Sequence, residues 1–309
     1  MTSAARILLP AAALVACGSC GADALASGGD AVTKSYVVAG AGFVNLAHEL
    51  RAPSPTGRRD EDEVELYYPT TRRVFRFPHR SEEAVGIRQT SFGCGKLGAN
   101  VWPSSIALAS LLANGGTPTE GRRVLELGAG CGLPSATARI CGSEILATDY
   151  WEQTDENGNV VFDDKDRLVP KSLFGQNLVY NVGGDENLVS RLDWFDEMNT
   201  FQTANHFQPD LVIGADLVYY PSDAQQLMNT IEIMLKTSAR EALLISPLSP
   251  EYEREALPEF RRQLEGGVLG DSIDVYTDEL ELVTTKDNGD EDRLTMLLMR
   301  LYSNRFYGE

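Results

Sequence analysis

A chain of 309 residues, 43% of them hydrophobic, can bury one large core or one core with a small appendage, and two full domains would fit only tightly. Its formal net charge of −18 argues against a nucleic-acid partner and for a basic protein or cationic molecule. Five cysteines without framework spacing argue against a disulfide-stapled fold, and Cys17-Gly-Ser-Cys20 lacks the second ligand pair of a zinc site, so no metal is expected.

In chain order, Arg6 precedes an apolar run from Ile7 to Ala16 that is too short to span a bilayer, so no stable membrane span is expected. With the small-residue step Ala24-Leu-Ala26 it resembles a cleavable leader over residues 1–26. Residues 27–63 mix glycine, Pro53-Ser-Pro55-Thr-Gly57 and the charge run Arg58 to Glu63, the composition of a linker with one marginal element near Tyr36 to Leu46. A single domain is expected over 64–309. It opens with a small antiparallel hairpin, Val64 to Tyr68 and Arg73 to Phe77 around Pro69-Thr-Thr71. Helical periodicity follows from Ser104 to Ala113.

From Arg123 onward β-type runs alternate with helical stretches, which predicts an α/β fold with a parallel sheet covered on both faces. The predicted strands are Arg123 to Leu127, Glu144 to Thr148, Asp210 to Gly214 and Ala242 to Ser246. The predicted helices are Ser135 to Cys141, Lys171 to Asn181, Ser222 to Lys236 and Glu253 to Glu265. Leu280 to Thr285 and Thr295 to Tyr302, around the turn Asp287-Asn-Gly-Asp290, read as a terminal antiparallel pair.

The strand Val124-Leu-Glu-Leu127 runs into Gly128-Ala-Gly130-Cys-Gly132 and then into a helix near Pro134-Ser135, a nucleotide-type βα turn. Glycines there let a ligand lie against bare backbone, and the helix start offers unpaired N–H groups. A dinucleotide fingerprint needs glycine or alanine where Leu133 stands, which disfavours NAD or FAD. Asp149 ends the next strand, placed about 20 residues on, as a ribose-binding carboxylate would be.

These residues resemble the family 16 protein methyltransferases, the lysine methyltransferase-like or nicotinamide N-methyltransferase-like proteins. The resemblance covers roughly Gly98 to the C-terminus and rests on Val101-Trp-Pro103, Leu125 to Pro134, Thr148-Asp-Tyr150, Asn177 and Asn181, Leu192-Asp-Trp194, and Gly214-Ala-Asp-Leu-Val-Tyr219. It implies a Rossmann-like seven-stranded sheet and S-adenosyl-L-methionine as cofactor. It assigns cofactor contacts to Trp102, Glu126, Gly128, Ala129, Gly130, Gly132, Asp149, Tyr150, Trp194 and Ala215, and the acceptor motif to Asp216 and Tyr219. The expected reaction is protein-lysine N-methylation of a basic or lysine-bearing segment by a monomeric enzyme in the cytoplasm or nucleus.

The leader departs from that pattern and leaves an organellar or secretory address open. A second departure is the acidic insertion from Trp151 to Val169, which lies beside the expected pocket. Arginine or a small-molecule amine as acceptor also stays open, as does a catalytically silent cofactor-binding module, since the fold alone does not decide chemistry.

Overall fold

The computed structural model describes residues 32–40, 43–50, 70–78, 84–90, 98, 100–150, 175, 177–178, 181, 188–248 and 254–306. Eleven strands among them form one mixed sheet. Its parallel half comprises β5 (Arg123–Leu127), β6 (Glu144–Asp149), β7 (Val189–Arg191), β8 (Leu211–Ala215) and β9 (Glu241–Pro247). Alternation within each strand feeds two cores. Val124, Ile213, Leu243 and Ile245 face one, while Leu125, Leu127, Val212 and Leu244 face the other. Strands buried on both faces read as unbroken apolar runs, which is why they were legible in the sequence.

Helices α1 (Pro103–Ala113) and α2 (Leu133–Ile140) cover the first face. Helices α3 (Glu197–Phe207), α4 (Pro221–Thr237) and α5 (Leu257–Glu265) contribute side chains to the second. Of the helix expected over Lys171 to Asn181, the described residues Gly175, Asn177, Leu178 and Asn181 are helical. Helix α3 and strand β7 were not anticipated. Only Thr200 and Ala204 of α3 are buried, too few to print an apolar stripe on the sequence. None of the described helices is long and apolar enough to cross a membrane.

The terminal pair is longer than expected: β10 (Ile273–Lys286) and β11 (Glu291–Ser303) run antiparallel, with β11 also antiparallel to β9. Across the sheet the order is β4-β3-β2-β1-β10-β11-β9-β8-β5-β6-β7. The chain therefore winds outward from β5 in both directions, and the switch point lies between β5 and β8, where open α/β sheets bind ligands.

The linker expected over 27–63 is corrected by two strands within it, β1 (Val32–Gly40) and β2 (Phe43–Leu50). Their stability comes from a distant edge: β1 pairs with β10, Val38 opposite Leu282, and no local pattern announces such a partner. Arg73 to Phe77 falls largely in β3 (Thr70–Arg76), which pairs with β2 and with β4 (Val85–Thr90). The N-terminal extension is thus a four-strand meander added to the seven-stranded core. The proposed partner run Val64 to Tyr68, the leader 1–26 and the insertion 151–169 lie outside the described residues.

Inside the extension, Arg73 forks onto Glu49 at 2.9 Å through both Nε and Nη2, and Tyr36 donates to Glu49 Oε2 at 2.5 Å. The same guanidinium reaches the carbonyl of Val101 at 3.2 Å, while Gln89 Oε1 accepts the N–H of Val101 at 3.2 Å. Both polar groups of the residue before Trp102 are therefore held by β3 and β4.

Candidate functional site

At the carboxyl ends of β5, β6 and β8 lies a cavity of about 580 Å³, within the range of small-molecule sites. One wall is the loop after β5. Gly128 and Gly130 hold φ of 58° and 54°, a left-handed backbone that favours glycine. Space makes the same demand: a Cβ on Gly128 would lie 2.6 Å from Leu217 Cδ2, and one on Gly130 3.0 Å from the carbonyl oxygen of Gly98. Gly128, Ala129 and Gly130 line the cavity as expected.

Glu126 and Gly132 do not line it. Glu126 is buried, and its Oε2 accepts the backbone N–H of Ser135 at 2.9 Å and the hydroxyl at 2.5 Å. Alternation explains the correction. Leu125 and Leu127 point to one face of β5, so Glu126 points to the other, under the start of α2. There it satisfies helix N-terminal donors, and burial pushes its carboxyl pKa up to about 8, with the Ser135 hydrogen bonds opposing the shift. Gly132 precedes α2 with φ of 77°, a left-handed turn position.

Asp149, the last residue of β6, lines the cavity. Its Oδ2 accepts the N–H of Gly130 at 2.7 Å and its Oδ1 that of Tyr150 at 2.7 Å, so the carboxylate also braces the glycine loop. Burial raises its pKa and those two N–H groups oppose the shift. Tyr150 is half exposed at the rim, with the guanidinium of Arg191 5.1 Å from its ring centroid. Trp194 lies beside Gly128, 3.7 Å from where its Cβ would stand, and Trp102 lines the cavity just before α1.

Ala215 ends β8 at the cavity, and Asp216 follows in a left-handed conformation with φ of 58°. Asp tolerates that conformation better than most side chains, but at a cost its surroundings must offset. Its N–H donates to the carbonyl of Ile245 at 2.7 Å, and its side chain is 1% exposed. Both carboxylate oxygens are engaged by Arg254, with Nε to Oδ1 at 2.9 Å and Nη2 to Oδ2 at 2.8 Å. The guanidinium carbon lies 4.3 Å from the Tyr219 ring centroid and 5.7 Å from that of Trp102. Burial raises the Tyr219 phenol well above its usual range, Asp216 adds to the rise and Arg254 opposes it.

The structure thus brings Trp102, Gly128, Ala129, Gly130, Asp149, Tyr150, Trp194, Ala215, Asp216 and Tyr219 to one cavity and leaves Glu126 and Gly132 behind it. Sequence reasoning missed Leu217 and Cys131 on the wall and, above all, Arg254. In the string Glu251-Tyr-Glu-Arg-Glu255 that arginine looks like one charge of a solvated helix start. Asn177 serves the backbone instead of the cavity. Its amide donates to the carbonyls of Arg88 and Cys131, both at 2.9 Å, and its Oδ1 accepts the N–H of Arg88 at 2.9 Å.

A bare glycine cradle, a carboxylate at the end of the adjacent strand and tryptophans along the wall fit S-adenosyl-L-methionine. Its amino-acid part needs backbone contact, its ribose an acceptor and its adenine an apolar cover.

The lysine methyltransferase family profile matches residues 81–257. Among curated proteins, the chain is 27% identical over 160 residues to the protein N-lysine methyltransferase METTL21A of Danio rerio, covering 51% of this chain and 63% of that protein. It is 29% identical over 151 residues to the protein N-terminal and lysine N-methyltransferase EFM7 of Cryptococcus neoformans, covering 47% of this chain and 46% of that one. The match therefore spans less than two thirds of either relative. Among solved structures, a precorrin-6y C5,15-methyltransferase from Geobacter metallireducens aligns with a TM-score of 0.40 at 12% identity, over 64% of this chain and 87% of that one.

Proposed function

The chain belongs to the lysine methyltransferase family, and on that premise we propose that it transfers a methyl group from S-adenosyl-L-methionine to the side-chain amine of a lysine in a protein. The observation that carries this reading is the cavity with two unlike ends, a glycine and Asp149 cradle on one side and Asp216 with Tyr219 on the other, with Trp102 on the wall they share. The first holds the cofactor's backbone-like and ribose parts; the second receives the acceptor.

When bound, S-adenosyl-L-methionine supplies a methyl group on a positively charged sulfur. The protein's own residues then act in three ways. Gly128, Ala129 and Gly130 allow close approach along their backbone, and Asp149 accepts from ribose hydroxyls with the lone pairs that Gly130 and Tyr150 leave open. Trp102 and Tyr219 wall off water and line up the acceptor amine, and orientation at contact distance removes a large part of the barrier. Asp216 fixes the far side of that wall.

Lysine is favoured over arginine by the state of Asp216. A planar guanidinium acceptor is recognised by a two-oxygen carboxylate fork, and both oxygens of this carboxylate already serve Arg254. An aliphatic amine needs no such fork, only the loss of its proton and a lone pair aimed at the methyl group. The net charge of −18 fits a basic, lysine-bearing segment as the docking region.

The test is incubation of the purified protein with methyl-labelled cofactor and a proteome lacking its counterpart, followed by identification of the labelled residue. Label on lysine is expected. Label on arginine, or turnover of free amines with no labelled protein, overturns the lysine reading, and cofactor binding without transfer to any acceptor leaves a binding module instead.

A further inference from the structure

Resting on the lysine reading, the geometry points to Arg254 as a positioning residue that clamps Asp216 so that the acceptor enters the site as its neutral amine. Methyl transfer requires a free nitrogen lone pair. That pair forms the new N–C bond while the electrons of the breaking C–S bond return to sulfur, and the product leaves as a methylammonium that keeps its charge. A lysine in water at neutral pH is protonated, with a pKa of about 10.4, so one proton must leave to water before the methyl group is transferred.

A buried carboxylate facing the entering amine would hold that proton on. In this site the carboxylate is already neutralised by a fork with both distances under 3 Å, and its counter-charge lies against the two rings that line the acceptor end. The fork-shaped guanidinium matches the carboxylate in a way a single ammonium does not, and it stays charged throughout the working pH range. The other groups around the acceptor end are Tyr219 and Tyr220 beside Asp216, Asp223 at the start of α4, and Asp149 across the cavity at the end of β6. Of these, Asp149 is engaged by the N–H groups of Gly130 and Tyr150, Asp223 is partly exposed to solvent and accepts the Ser222 hydroxyl at 2.8 Å, and Tyr219 stays a neutral phenol because of its burial. Asp216 is therefore the carboxylate whose compensation decides the amine's charge, and Arg254 is the residue that compensates it.

The probe is a synthetic peptide around the lysine that carries label in the proteome assay. If the wild type labels no lysine, the proposed function falls first and this inference with it. Where the wild type is active, two measurements decide. Calorimetry at pH 8 in buffers of different ionisation heat counts protons released when the peptide binds the S-adenosylhomocysteine complex. The wild type is expected to release close to one, and Arg254→Gln far less, with S-adenosylhomocysteine affinity held within about threefold. In turnover at saturating peptide, the rising limb of kcat against pH should move at least about one unit alkaline in Arg254→Gln, the scale of one uncompensated charge nearby. Equal proton release and an unmoved limb overturn the inference. Should Arg254→Gln fail to fold, Asp216→Asn decides on its own. With the guanidinium kept and the carboxylate gone, proton release should persist and the limb should not move alkaline, whereas an alkaline move would make Asp216 the group that removes the proton.

Discussion

Two carboxylates flanking the glycine loop, one in the cavity and one behind it, have opposite assignments. Asp149 faces the cavity and offers its remaining lone pairs to a ligand, so Asp149→Ala should weaken S-adenosylhomocysteine binding by about 1.5–3 kcal/mol, the usual range for hydrogen bonds to a charged group. Calorimetry checks this, and unchanged affinity would remove the ribose assignment. Glu126 faces the helix start, and its pKa is lifted from 4.5 to about 8 chiefly by burial. A carboxyl raised on folding gives stability that is fully present below about pH 4.5 and is lost progressively as pH rises through about 8. Thermal melts of the wild type should therefore fall across that window relative to Glu126→Gln, and parallel curves from pH 5 to 9 would contradict it. The sequence showed that both residues were acids at strand ends or next to glycines. Which way Glu126 points followed only from the strand's alternation once β5 had two buried faces, and the partner of Asp216 was illegible because Arg254 lies 38 positions later with no motif around it.

At the scale of elements, the apolar runs of β5, β6, β8 and β9 were legible because burial on both faces leaves no room for polar alternation. Strand β4 was not, since beyond its pairing with β3 its outer edge is held by side-chain chemistry from a helix. Asn181 accepts the N–H of Gly86 at 2.8 Å and donates to its carbonyl at 2.8 Å, and Asn177 does the same for Arg88. Two amides thus stand in for a twelfth strand along the edge of the sheet and satisfy backbone groups that would otherwise invite pairing with another chain. Asn177 also reaches the carbonyl of Cys131 in the cofactor loop. Asn177→Ala should destabilise the protein by about 1–3 kcal/mol, the cost of orphaned backbone partners, and should speed exchange of the Arg88 amide. Exchange unchanged at Arg88 would mean that water replaces the amide without cost.

For the molecule as a whole, the four added strands are part of the site's support because Arg73 and Gln89 hold both polar groups of Val101, next to Trp102. A chain starting near Ser27 keeps all of β1 and should bind S-adenosylhomocysteine like the full chain. A chain starting after Thr90 loses the clamps on Val101 and uncovers β10; it should bind at least tenfold more weakly, the effect of a misplaced wall, and should aggregate. Calorimetry and light scattering on the two truncations separate these outcomes, and equal binding by both would show that Trp102 is held without the extension.

The pairing of β1 with β10 also imposes an order in time. Val38 finds its partner Leu282 only after roughly 240 further residues have been synthesised, a wait on the order of tens of seconds at ordinary elongation rates. Through that interval the first hairpin, with Tyr36 and Val38 destined for the core, emerges from the ribosome with one side uncovered. The parallel half can begin to assemble meanwhile, because β5 to β9 pair with one another and only the outer edge of β9 waits for β11. The last strands made then join two pieces that were completed far apart in time, so a chain stalled before β10 would carry a finished cofactor cradle and an orphaned hairpin that nothing yet covers.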